Sequence, residues 1–210
     1  MNQKNGKNSL GLDSCFEDLA NPIDLFKNWF SKAEEGEIND PNAVALATAD
    51  KSNQPNVRMV LLKGINDKGY VFYTNFNSKK GGELKGNQKA SMCFHWKSLR
   101  RQVRIIGKVE EVASKEADDY YNSRPYKNRI SAWASAQSQV LDKRETFLEK
   151  IKEYKKKYPD QNNVPRPPHW SGWRLLPDEI EFWLDGEGRI HERLNYKKTK
   201  EEWTKEILYP

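Results

Sequence analysis

Ile180–Arg193 reads IEFWLDGEGRIHER, and the fold turns on how it is read. An apolar run, Ile180 to Leu184, meets a turn made of Asp185, Gly186, Glu187 and Gly188; a second run then carries Arg189, His191 and Arg193 at every other position. Turn residues between two such runs predict a β-hairpin, and side chains two apart on a strand share a face. Arg189, His191 and Arg193 are therefore expected on one side, with Ile190 and Glu192 on the other. Like charges that close repel one another, which suits an anion or a polar ligand; an exposed, solvated strand face explains the pattern equally well.

Upstream, the chain keeps the period of strands. Ala43–Ala49, Val57–Lys63, Tyr70–Thr74, Ala90–Trp96 and Arg101–Val112 are predicted strands, with turn chemistry at Ser52–Pro55 and Asn66–Gly69. With the hairpin and a last segment around Trp203–Leu208, they read as an antiparallel meander closing into a barrel with helical insertions. The class is mainly β with appended helices (α+β), and the lack of helical crossovers between the first strands argues against a parallel doubly wound sheet.

Helical spacing appears in between. Asn21 caps a helix whose first position is Pro22; Ile23, Phe26, Trp29, Phe30 and Ala33 mark its core face and Gly36 ends it. Ser114 is expected to cap a second helix through Tyr121, Pro125 interrupts it, and a shorter element runs through Trp133. Asp142 with Glu145 resembles a capping box for a helix showing Phe147, Ile151, Tyr154 and Tyr158 on one face and a solvated Lys155–Lys157 run on the other. Asp160–His169, with Pro165, Pro167 and Pro168, is an extended connector.

Residues 1–20 are expected to be a mobile arm, because Met1–Asp13 is rich in Asn, Lys, Gly and Ser and offers little to bury. Residues 21–210 form one domain, with no internal repeat or linker to divide them. The formal net charge of +6 favours anionic partners without choosing among them. Cys15 and Cys93 have no CxxC spacing and the histidines are only His95, His169 and His191, so neither a disulfide framework nor a metal site is expected. No signal-like stretch opens the chain, and no apolar run reaches the roughly 18 residues of a membrane span. The expectation is a reduced, cytoplasmic protein.

The usual nucleotide loops are missing: Gly81, Gly82 and Gly107 make no GxGxxG, and there is no GK[ST]. Phosphate would have to be held by side chains. Arg58 and Lys63 bracket the apolar Met59, Val60, Leu61 and Leu62, and Ser78, Lys79 and Lys80 open a short helix whose N-terminus can seat an anion. Gln102 shares a strand face with Arg104 and can offer donor and acceptor to a heterocycle edge. Tyr120 and Arg124, four apart on a helix, present a hydroxyl and a guanidinium together. Each of these, taken alone, also reads as an ordinary surface residue.

Taken in order, RMVLLK (Arg58–Lys63), FYTN (Phe72–Asn75), SKK (Ser78–Lys80), RQVRIIGK (Arg101–Lys108), YYNSRP (Tyr120–Pro125), SAQS (Ser135–Ser138), EFW (Glu181–Trp183) and RIHER (Arg189–Arg193) resemble the pyridoxamine 5′-phosphate oxidase family, from about Pro22 to the end. The resemblance implies an FMN-binding split β-barrel, antiparallel and Greek-key-like, acting as a homodimer with the flavin at the interface. It implies that Arg58, Met59, Val60, Leu61, Leu62, Lys63, Tyr73, Thr74, Lys79, Lys80, Gln102, Gln137, Ser138, Trp183 and Arg193 hold FMN. Lys63, Tyr120, Arg124, Asn128, Arg189, Ile190 and His191 would hold the substrate, with Arg189 and His191 catalytic. Lys79 stands where arginine is usual and Asn128 where serine is common; nothing is carried over before Pro22.

The implied reaction is oxidation of pyridoxamine or pyridoxine 5′-phosphate to pyridoxal 5′-phosphate, with dioxygen as acceptor and hydrogen peroxide as product. Two other readings stand beside it. One is a flavin-binding split barrel that reduces something else or stores flavin. The other is a basic β-barrel that binds nucleic acid through Arg100, Arg101, Arg104 and Lys108 with exposed Tyr70 and Trp96.

Overall fold

The computed structural model describes residues 6–200 and 202–210. One antiparallel sheet carries the strands β1 (Ala43–Ala49), β2 (Pro55–Leu61), β3 (Gly64–Asn66), β4 (Gly69–Asn75), β5 (Lys89–Trp96), β6 (Arg101–Glu111), β7 (Trp170–Leu184), β8 (Glu192–Thr199) and β9 (Glu202–Ile207). The helices are α1 (Pro22–Gly36), α2 (Lys79–Gly86), α3 (Ser114–Ser123), α4 (Tyr126–Ala134) and α5 (Arg144–Lys157).

The expected meander is corrected. β1–β2, β3–β4 and β5–β6 are sequential hairpins, but the spatial order is β2-β1-β5-β6-β7-β4-β3, with β8 on β7 and β9 on β8. β7 explains the departure. β6 follows one of its edges, whereas the other edge is shared: Trp170–Leu175 pair with β4, and Glu179–Leu184 pair with β8. The changeover falls around Pro177, which has no N–H to give. There the β6–β7 register shifts between Ile106 and Gly107, and a Cβ on Gly107 would lie 2.0 Å from the Leu176 carbonyl, so the backbones meet where a side chain has no room. The sheet thus divides into two curling halves with β7 in common.

α1 fits the sequence reading at both ends. The Asn21 side chain accepts from the Ile23 N–H, Pro22 takes the first turn, and Phe26 packs edge-on against Tyr70 and Phe94 at 4.8 and 5.1 Å between centroids. Tyr70 and Trp96 are themselves core residues, which removes the exposed aromatic platforms of the nucleic-acid reading. Two other caps were misplaced: Ser114 is the first helical residue of α3 behind Ala113, and α5 begins behind Lys143 without the side-chain bonds of a capping box. The Lys155–Lys157 run is not wholly solvated, since Lys157 Nζ sits 5.5–5.8 Å from the rings of Trp133, Tyr154 and Tyr158.

The segment read as an arm needs the largest correction. Residues 1–5 lie outside the described residues, but from Gly6 onward the chain packs on the domain: Leu12 and Phe16 are buried, and Phe16 meets Trp29 edge-on at 5.2 Å. Lys7 and Asp13 form a β-bridge, the Glu192 carboxylate takes both the Lys7 ammonium and the Asp13 N–H, and the Tyr196 hydroxyl donates to Leu19 O. Two well-placed apolar side chains outweigh a polar composition.

Candidate functional site

A cavity of about 650 Å³ opens between the end of β2, the end of β4 and the helices α3 and α4. Met59, Val60, Leu61 and Lys63 come to it from β2 and the following turn, Tyr73 and Thr74 from β4, and Lys80 from α2. Tyr120 and Arg124 come from α3 and its C-cap, Asn128 from α4, and Gln137 from the loop beyond. Lys63 lies where the chain crosses between the halves of the sheet: its N–H donates to Val71 O, while the Leu62 N–H donates to Asn42 O.

Two cationic seats face this space. In the first, Lys80 Nζ lies 3.1 Å from Gln137 Oε1 and 3.2 Å from Thr74 Oγ1, beside the start of α2, where Ser78 caps the Gly81 N–H. Burial, and then the Arg58 charge, pull the Lys80 ammonium below the ordinary lysine value of 10.5. In the second, Arg124 lies over the Trp170 ring at 4.7 Å, and its Nη1 is buried without a hydrogen-bond partner among the described residues. Burial also lowers its pKa, so an anion at that nitrogen would relieve both the desolvation and the missing bond.

An aromatic wall backs the second seat. Tyr73 stacks on Tyr120 at 4.0 Å and on Trp170 at 5.3 Å, nearly parallel to both. Burial, followed by the Glu116 charge, pushes the Tyr73 phenol up to about 12, so it stays a neutral donor. Trp170 and Asn75 line the cavity but were missed in the sequence, because an aromatic after a proline-rich connector and an asparagine at a strand end carry no periodic signal.

Other expected residues lie elsewhere. Leu62 is in the core, and Lys79 reaches Asn56 Oδ1 at 3.2 Å instead of the cavity. Arg58 is turned towards α2, where its Nη2 pairs with Glu83 Oε2 at 2.9 Å. Ser138 neighbours Gln137 but does not line the cavity; its φ of 72° puts a non-glycine residue in the left-handed region.

The remaining expected residues form a second group around the β7–β8 connection. Gln102, Trp183 and Arg193 stand on one rung, since Gln102 pairs with Trp183 across β6–β7 and Trp183 with Arg193 across β7–β8. Directly opposed residues share a face, so amide, indole and guanidinium stand side by side. The buried Glu181 carboxylate holds Arg193 Nε at 2.7 Å and also pairs with Arg104. The expected alternation of Arg189, His191 and Arg193 is corrected, because Glu187–Arg189 is a 3₁₀ turn and β8 starts only at Glu192. Arg189 is exposed at φ 64°; His191 packs on Trp183 at 4.7 Å and accepts the Gly186 N–H at Nδ1. A Cβ on Gly186 would come 1.8 Å from Ile190 O, so only glycine closes this turn. None of this second group lines the first cavity.

A half-barrel whose cavity pairs cationic seats with stacked rings belongs to the split-barrel class. Comparison with known proteins narrows that class. Residues 30–158 match the family described as pyridoxamine 5′-phosphate oxidase, and residues 170–210 match the pyridoxine 5′-phosphate oxidase C-terminal dimerisation region. The pyridoxine/pyridoxamine 5′-phosphate oxidase of Pelagibacter ubique is 62% identical over 98% of this chain and 100% of its own length; that of Agrobacterium fabrum is 52% identical over 94% and 96%. Among solved structures, PhzG from Burkholderia lata, in complex with tetrahydrophenazine-1-carboxylic acid, superposes with a TM-score of 0.88 at 30% identity, covering 98% of this chain and 100% of its own. The chain belongs to the pyridoxamine 5′-phosphate oxidase family of enzymes. Among the described residues, no helix is long and apolar enough to cross a membrane.

Proposed function

We propose that this enzyme oxidises pyridoxamine and pyridoxine 5′-phosphates to pyridoxal 5′-phosphate, using FMN and passing the electrons to dioxygen as hydrogen peroxide. The observation that carries the reading is the pair of cationic seats in one cavity, which fits two phosphate esters bound together. The residues present suit FMN. Thr74, Lys80 and Gln137 offer its phosphate a hydroxyl, an ammonium and an amide, with Arg58 and Lys79 next to them. Gln102, Trp183 and Arg193 make a flat, polar-edged rung suited to a heterocycle. When bound, the flavin supplies the two-electron acceptor at C4′ of the substrate and is reoxidised by dioxygen.

The protein's own contribution is position and charge. Arg124, Tyr120 and Asn128 hold the substrate phosphate, and Lys63 bridges the two ligands from the crossing point. Arg189 and His191 orient C4′ and manage the proton on its amine or hydroxyl; His191 is suited to this because its Nδ1 is held between the Gly186 nitrogen at 3.1 Å and Asp185 Oδ1 at 3.2 Å, while its Nε2 has no partner among the described residues. The amine substrate gives an imine, whose hydrolysis releases ammonia.

Because the two residue groups do not share a cavity within one chain, each site is completed across a homodimer. Val57, Met59 and Leu61 favour such an arrangement: they leave an apolar strip 70, 63 and 40% exposed along β2, beside the cavity. The test is a visible spectrum of the purified protein, then peroxide release on addition of pyridoxine phosphate. A flavin-free protein that ignores added FMN would end this reading. A yellow protein inactive towards both phosphates would favour the non-oxidase alternative.

A further inference from the structure

We propose that Glu83 is the positioning residue of the FMN-phosphate seat: one buried carboxylate that aims Arg58 and Lys79 from behind. The inference rests on the flavin reading above and adds to it a residue that contacts neither ligand.

Glu83 lies on α2, three residues after Lys80 and 5% exposed. An isolated carboxylate so placed is costly to bury, and this one is compensated on every side. Its Oε2 accepts from Arg58 Nη2 at 2.9 Å and from the Thr48 hydroxyl at 2.5 Å, and its Oε1 accepts from Asn56 Nδ2 at 2.7 Å. Arg58 Nη1 is spent on Leu46 O and the Thr48 hydroxyl. Arg58 therefore keeps its Nε–H and one Nη2–H for a ligand, on a guanidinium whose plane is fixed by its other bonds.

Asn56 extends the grip. With its Nδ2 fixed on Glu83, its Oδ1 faces Lys79 Nζ at 3.2 Å, so the amide cannot turn over without losing both contacts. Lys80, one helical turn from Glu83, is the third cation around the same carboxylate. Arg58, Lys79 and Lys80 would otherwise repel one another, and the Glu83 charge offsets part of that repulsion before any anion arrives.

Glu83→Gln is the informative substitution, because an amide presents a donor where the site needs two acceptors. FMN affinity of the apo-protein, read by quenching of flavin fluorescence, should fall at least tenfold in Glu83→Gln, with the thermal midpoint of the apo-protein recorded alongside. In an Arg58→Ala background the same change should cost clearly less, about threefold, because only Lys79, held through Asn56, is left to aim. Thr48→Val, which removes one donor and keeps the charge, should weaken FMN about threefold, only with Arg58 present, and it covers the case in which Glu83→Gln does not fold. Equal losses with and without Arg58, or a Glu83→Gln protein that binds FMN as tightly as wild type, would overturn the role. Wild-type protein that fails to quench FMN would remove the flavin reading itself, and this inference with it.

Discussion

Arg124 gathers the features that suit a phosphate seat: a buried nitrogen with no partner among the described residues, an indole beneath its plane, and a pKa lowered by burial. Its replacement by alanine should raise the KM for the phosphorylated substrate roughly 10- to 100-fold, the range of a lost charged hydrogen bond, with smaller loss in kcat. Steady-state kinetics with pyridoxine phosphate checks this; an unchanged KM would place the phosphate elsewhere. Lys80 gives a prediction in pH. Its pKa in the folded protein lies below 10.5, so between that lowered value and 10.5 the unfolded chain binds the extra proton. Apo-protein stability contributed by Lys80 therefore rises with pH across the window, while FMN affinity, which needs the ammonium, falls across the same window. Thermal melts and flavin titrations at matched pH should move in opposite directions. Lys63, Lys80 and Arg124, the cations that line this cavity, were legible as residue types, because a reading that looks for phosphate ligands looks for cations. The buried carboxylates Glu83 and Glu181 were not: a glutamate between Gly82 and Leu84, or on an alternating strand, looks like any solvated one until the fold closes over it.

At the level of elements, the sequence was a good guide wherever the local signal was complete. Asn21 and Pro22 marked the start of α1, and turn residues marked the first hairpins, because cap and turn chemistry act over three or four residues. It was a poor guide where tertiary packing decides. The 3₁₀ turn at Glu187–Arg189 breaks an alternation that looked regular, because Gly188 and Arg189 both take positive φ. The N-terminal segment is docked by Leu12 and Phe16, which composition dilutes among polar neighbours. Phe16→Ala should destabilise the protein by about 3–5 kcal/mol, as expected for a fully buried phenylalanine. Chemical denaturation would show it; a change under about 1 kcal/mol would mean that the segment contributes no core.

For the whole molecule, the separation of the two residue groups has a stoichiometric consequence. If one protomer supplies Arg124 and its partner Arg189, a mixed dimer of Arg124→Ala and Arg189→Ala chains has one doubly altered site and one intact site. Assayed well below the KM of the Arg124→Ala protein, where both single variants turn over slowly, random exchange of equal amounts should then recover about a quarter of the wild-type rate. No recovery would mean that a single chain supplies both residues. The order of strands was the least legible level, because β4 finds its partner about a hundred residues later in β7, and nothing in either segment names the other.

That late partnership also bears on synthesis. Until Trp170–Leu184 has left the ribosome, β4 and β6 each carry an edge that only this strand covers. Unpaired edges are templates for other chains. Completion of the fold therefore waits until Trp170–Leu184 has been synthesised, and a nascent chain stalled before Trp170 should be a client for holding chaperones and prone to coaggregate.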